Sequence, residues 1–149
     1  MAQHSLTKQR LMIFLGFLVA TLSVQSCRKN NSDVPNVAVD EYLNLNLPEY
    51  LNLNAVNNWV YYNYAGNKGI IIIRSGPNEF TALERTCSFD PYASNSIVEG
   101  IEFDIFGVDS ICGSKFSLID GSVSTGPASR PLLRYRTELL PNNILHIFN

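Results

Sequence analysis

Few residues in this chain can do chemistry, and their positions bound what that chemistry is. There are two histidines, His4 and His146, and three cysteines, Cys27, Cys87 and Cys112. Thiolates and imidazoles are the ligands that soft and borderline metals take up, so these five residues make up the metal and thiol inventory. Acidic residues gather in one stretch: Glu84, Asp90, Glu99, Glu102, Asp104 and Asp109. A pair of them could act as general acid and base, although carboxylates on strand faces and turns are mostly just solvated. Tyr42, Tyr50, Trp59, Tyr61, Tyr62 and Tyr64 could floor a glycan or protein site, or pack as strand core. The chain holds no G-x-S-x-G elbow, phosphate-binding glycine loop or H-E-x-x-H pair, so no catalytic residues and no enzyme are expected. A net charge of -2 excludes a nucleic-acid partner held by bulk electrostatics.

The chain has 149 residues, 46% of them hydrophobic and 16% charged, enough for one domain. A basic stretch ending in Lys8 and Arg10 precedes an apolar run from Leu11 to Leu22 and a short polar stretch to Ser26-Cys27. That is the layout of a secretory signal peptide. The apolar run falls short of the roughly 20 residues a membrane-spanning helix needs. Val24-Gln25-Ser26-Cys27 resembles a bacterial lipobox, with Gln25 departing from the small residue common there. The resemblance implies cleavage before Cys27, a lipid on Cys27, and a protein anchored in the cell envelope, facing the periplasm or the surface. The expected divisions are a signal peptide over 1–26, a polar tether over 27–36 and one domain over 37–149. His4 leaves with the leader.

From Val37 onward the pattern is β. Val37, Val39, Leu43, Leu45 and Leu47 alternate with polar partners as a half-buried strand does. Tyr42-Leu43-Asn44-Leu45-Asn46 recurs as Tyr50-Leu51-Asn52-Leu53-Asn54, two copies too few for a solenoid, with their asparagines read as a solvent face or a carbohydrate ladder. Trp59 to Tyr64 forms an aromatic strand. Ile70-Ile71-Ile72-Ile73 predicts a strand covered on both faces. Ser75-Gly76-Pro77-Asn78 turns it into a partner over Phe80 to Arg85. Ile101, Phe103 and Ile105 alternate with Glu102 and Asp104, predicting a strand over Ile101 to Phe106. Asp120-Gly121 turns between Phe116 to Ile119 and Ser122-Val123. Leu133 to Glu138 and Ile144 to Phe148 close the pattern. Nine or ten short strands predict an all-β fold, a small antiparallel sandwich or partly open barrel.

Two segments expected as loops carry the two downstream cysteines: Thr86-Cys87-Ser88-Phe89-Asp90-Pro91 and Val108-Asp109-Ser110-Ile111-Cys112-Gly113-Ser114-Lys115-Phe116. After them come Asp120-Gly121, then Gly126-Pro127-Ala128 and Pro131-Leu132. This series resembles the Rieske iron-sulfur domain over about Gly69 to Phe148. In that family a C-x-H box and a C-x-x-H-G-S box meet at the tip of a small β-sandwich, ahead of a Gly-Pro-Ala loop. Gly113, Ser114, Gly126 and Pro127 carry the loop motif.

Matched position by position, Cys87 stands at the first cysteine and Phe89 at the first histidine. Asp109 then stands at the second cysteine and Cys112 at the second histidine. A second register, with Cys112 as the cysteine and Lys115 at the histidine, also lacks an imidazole. A Rieske cluster needs two imidazoles on one iron, and only His146 remains beyond the leader. The resemblance therefore implies a Rieske-like fold that has lost the ligands of its 2Fe-2S cluster, with no cofactor expected. Electron transfer by an intact cluster is the alternative. The resemblance also brings the two cysteine segments together, which in an oxidising envelope implies a Cys87 to Cys112 disulfide. Two free thiols, a redox-active pair, or a metal site of Cys87, Cys112, Asp109 and Asp90 stay open beside it. The expected role is a binding or structural module on the membrane, with a protein or glycan as partner.

Overall fold

The computed structural model describes residues 33–149; the leader, Cys27 and most of the tether lie outside the described residues. The observed fold is all-β, as expected. Ten strands form two antiparallel sheets. The larger has the order β1-β10-β9-β4-β3-β2 and comprises β1 (Asp40–Asn44), β2 (Trp59–Tyr62), β3 (Ile70–Gly76), β4 (Glu79–Glu84), β9 (Arg134–Leu140) and β10 (Ile144–Phe148). The smaller has the order β5-β6-β7-β8, from β5 (Val98–Gly100), β6 (Phe106–Asp109), β7 (Lys115–Ser117) and β8 (Val123–Thr125).

The isoleucine run explains why the two sheets stack. Ile70 and Ile72 join one apolar cluster with Leu43, Leu45, Tyr135, Leu145 and Ile147. Ile71 and Ile73 point the opposite way, into a second cluster with Leu83, Cys87, Val98, Phe116 and Leu118. Strand alternation thus covers β3 on both faces, and each fully buried isoleucine contributes on the order of 2 kcal/mol. The hairpin after β3 turns at Pro77-Asn78, since pairing persists to Gly76 opposite Glu79.

Four expectations give way to the structure. The second Tyr-Leu-Asn copy is not a strand: Pro48–Asn54 is a 3-10 helix, because Pro48 begins it and Tyr50 and Leu53, three residues apart, both point into the core. The Ile101 to Phe106 strand is a turn, with Phe103 at φ 59 and 99% exposed. Pairing starts only at Phe106, so Val108 and Asp109 lie on β6 and not in a loop. The initial strand is also shorter than Val37 to Leu47, which are both exposed.

A buried carboxylate fixes the connection between β2 and β3. Glu84 is fully buried at the end of β4. Its Oε1 accepts hydrogen bonds from Lys68 N at 2.9 Å, Thr86 N at 2.9 Å and Thr86 Oγ1 at 2.7 Å. Its Oε2 accepts from Asn67 N at 2.7 Å and Tyr135 Oη at 2.8 Å. An ionised group out of water costs several kcal/mol unless it is solvated this fully. Gly66 sits at φ +81, and a Cβ there would come within 2.6 Å of Glu84 Oε2. Gly66→Ala is therefore expected to lower the unfolding free energy by about 2 kcal/mol or more, from the left-handed backbone and the displaced carboxylate together. Denaturant titration measures it, and a loss below about 0.5 kcal/mol would refute this role for Glu84.

Candidate functional site

The two cysteine segments meet beneath the small sheet. The chain leaving β4 pairs Thr86 with Ile97, and Cys87 follows, fully buried. Ser96 comes alongside, its carbonyl accepting from Cys87 N at 3.5 Å. Across the sheet Asp109 lies opposite Val98 at the end of β6 and is also fully buried. Asp109 then organises the loop to β7. Its carbonyl accepts from Gly113 N at 2.8 Å, and its own N donates to Ser114 O at 3.0 Å. Gly113 closes this loop at φ +75, a conformation that favours glycine.

The Asp109 carboxylate holds the same loop from inside. Oδ1 accepts from Ile111 N at 2.8 Å and Cys112 N at 3.4 Å, and Oδ2 from Ser96 Oγ at 2.7 Å. Burial pushes its pKa up, but donors from Ser96, Ile111, Cys87 and Cys112 outweigh burial and hold it below the usual carboxylate range. Cys87 goes the other way. Burial raises its thiol pKa; the Phe89 N–H pulls it back in part, while the Asp109 carboxylate and Cys112 add to the rise, which reaches about 12. At neutral pH an ionised Asp109 therefore stands beside a protonated Cys87.

Cys112 is half-buried, with its Sγ 3.6 Å from that of Cys87. The expected pair is brought together, but as two thiols: a disulfide requires about 2.05 Å between sulfurs. Other groups satisfy the Cys112 sulfur. It contacts Ser114 Oγ at 3.0 Å and accepts from Ser114 N at 3.4 Å. Ser114 Oγ also accepts from Ala128 N at 2.9 Å, which ties in the loop after the cis Gly126-Pro127 bond. That loop is tied a second time, since Ser88 Oγ donates to Arg130 O at 2.6 Å. Arg130 in turn pairs with Asp33 at 2.6 Å, so the end of the expected tether meets the domain here.

The sulfurs and the Asp109 carboxylate lie within 4.8 Å of one another and could hold a metal ion. Asp90, named from sequence as a fourth ligand, is exposed and does not join them. Phe89 turns its ring outward and is 50% exposed. Gly126 and Pro127 are exposed as well, while Ser114 is fully buried. His146 is on β10, stacked on Tyr42 at 4.2 Å and on Phe148 at 4.4 Å, with Nε2 2.7 Å from Asp40 Oδ1. The aromatic residues do not form one platform: Tyr50 is in the core, Trp59 donates to Asp104 O at 3.2 Å, and Tyr64 is 87% exposed. Among the six acidic residues, Glu84 and Asp109 are each ringed by donors, and Asp90, Glu99 and Glu102 are exposed.

Sequence reasoning missed two residues that hold the site. Ser96 anchors Asp109, and Lys68 Nζ donates to Ser96 O at 2.9 Å and to Ala93 O. A serine among Ala93-Ser94-Asn95-Ser96 and one lysine carry no motif that could have marked them.

No family model matches this chain, and no curated protein matches it. Solved structures are similar to it. One is the crystal structure of the cyanobacterial plasma membrane Rieske protein PetC3 from Synechocystis PCC 6803, at 24% identity and TM-score 0.48, covering 59% of this chain and 84% of that one. Another comes from the complex of reduced oxygenase and oxidized ferredoxin in carbazole 1,9a-dioxygenase, at 16% identity and TM-score 0.49, covering 76% and 94%.

The Asp109 geometry has a pH signature. A carboxylate whose folded pKa is depressed contributes its full stability above the unfolded value of about 3.9 and loses it as pH falls through the folded value. Asp109→Asn is expected to cost about 2 to 3 kcal/mol at neutral pH and to flatten the fall in stability as pH drops through and below the ordinary carboxylate range. Asp120, held low by Ser122 and Ser117, keeps its share of that fall in the variant. Denaturation at several pH values measures it. A wild-type acid slope in Asp109→Asn would assign the effect elsewhere.

Proposed function

We propose that the protein is a lipid-anchored envelope protein whose Rieske-like domain carries no 2Fe-2S cluster and works as a non-enzymatic binding or structural module. One observation carries the reading: the four ligand positions of the resemblance hold Cys87, Phe89, Asp109 and Cys112, and these do not fit the cluster. A Rieske centre divides two thiolates and two imidazoles between its irons. Phe89 offers no lone pair and turns outward. The one histidine among the described residues is engaged on β10 with Asp40, Tyr42 and Phe148. Asp109 places a carboxylate where the resemblance has a thiolate.

What remains is a loop junction held shut by hydrogen bonds. Ser114 ties it to Ala128, Ser88 to Arg130, and Asp109 to Ser96. Such a junction suits a module that presents fixed loops to a protein or glycan partner at the membrane surface. The lipid on Cys27 would supply the membrane attachment. The native mass of the exported protein, solubilised in detergent, tests both parts. The expected mass is that of Cys27 to Asn149 plus a lipid, with no iron-sulfur increment. A mass carrying two irons and two sulfides refutes the cluster-free reading, and an unlipidated chain with its leader intact refutes the anchor.

A further inference from the structure

We infer that Cys87, Cys112 and Asp109 form a mononuclear site for one soft divalent cation of the zinc type. The inference rests on the reading that no 2Fe-2S cluster occupies this junction. Three observations carry it. The first is spacing: two thiolates on tetrahedral zinc, each at about 2.3 Å from the metal, stand about 3.8 Å apart. The two sulfurs here stand 3.6 Å apart, much nearer that separation than the length of a disulfide.

The second is hydrogen bonding to sulfur. The Cys112 sulfur receives the backbone N–H of Ser114 at 3.4 Å, a bond that stabilises a thiolate more than a thiol. The third is Asp109, whose Ser96, Ile111 and Cys112 donors fix the carboxylate in place as the outer hydrogen bonds of a metal-bound carboxylate do. Those three donors use three of its roughly four lone-pair sites, which leaves one for a cation. The two sulfurs and that oxygen are close enough to one another to share one cation. Binding then exchanges one divalent cation for the two thiol protons, with no change in oxidation state. Half-exposed Cys112 leaves one side open to water for the fourth position.

Cobalt(II) titration of the full exported protein, reduced and kept without oxygen, tests the site. The expected result is one cobalt per chain with a thiolate-to-cobalt charge-transfer band and the visible bands of a tetrahedral ion, displaced by one equivalent of zinc. Cys112→Ser, at a half-exposed position, should abolish the charge-transfer band or weaken binding at least a hundredfold while leaving the circular dichroism unchanged. Asp109→Asn should weaken it at least tenfold. Absence of a charge-transfer band, or the same band in a Cys87→Ser, Cys112→Ser double variant, overturns the site. So does a pair that yields no free thiols on reduction. These outcomes are separate from the cluster question, because a two-iron increment in untreated protein contradicts the preceding proposal and cobalt silence contradicts this one.

Discussion

Two buried carboxylates and the donors that surround them hold the functional end of this molecule together. Glu84 and Asp109 are both fully buried. Each would cost several kcal/mol if left without partners, so the surrounding backbone is committed to solvating them. Glu84 binds the backbone of Asn67 and Lys68. The Lys68 side chain then holds the carbonyls of Ala93 and Ser96. The Ser96 hydroxyl holds Asp109, and Asp109 holds the amides of Ile111 and Cys112. The chain of contacts runs from the large sheet to the tip of the small one without a gap.

This continuity explains how the cysteine segments are positioned. Cys87 lies one residue past the Thr86 that binds Glu84, and Cys112 lies in the loop that Asp109 closes. The two thiols meet because the two carboxylates fix the segments on which they ride. The ionised Asp109 carboxylate draws its loop together with hydrogen bonds supplied by the chain itself.

Much of the fold was legible in the sequence because the decisive signals were local. Ile70 to Ile73 pointed to a doubly covered strand, and the turns at Pro77-Asn78 and Asp120-Gly121 punctuated their hairpins. The failures also have local reasons. The Tyr50 copy matched Tyr42 in letters, but Pro48 and the spacing of Tyr50 and Leu53 made a 3-10 turn cheaper than a strand. Phe103 fitted an alternating pattern, yet the alternation of Ile101, Phe103 and Ile105 belongs to a turn, with only Ile105 packing against the apolar cluster under the small sheet. At the site, Cys87, Cys112 and Asp109 were visible as positions in a motif. Lys68 and Ser96 were not, since their role depends on contacts 28 and 13 positions along the chain that only folding creates.

The proposed junction is closed by Asp109 and the thiols and not by iron. Anaerobic incubation of the reduced protein with iron and sulfide, followed by paramagnetic resonance of the dithionite-reduced sample, tests that most directly. The prediction is no Rieske-type signal and no stoichiometric acid-labile sulfide after desalting. A Rieske signal with two irons and two sulfides per chain would contradict it.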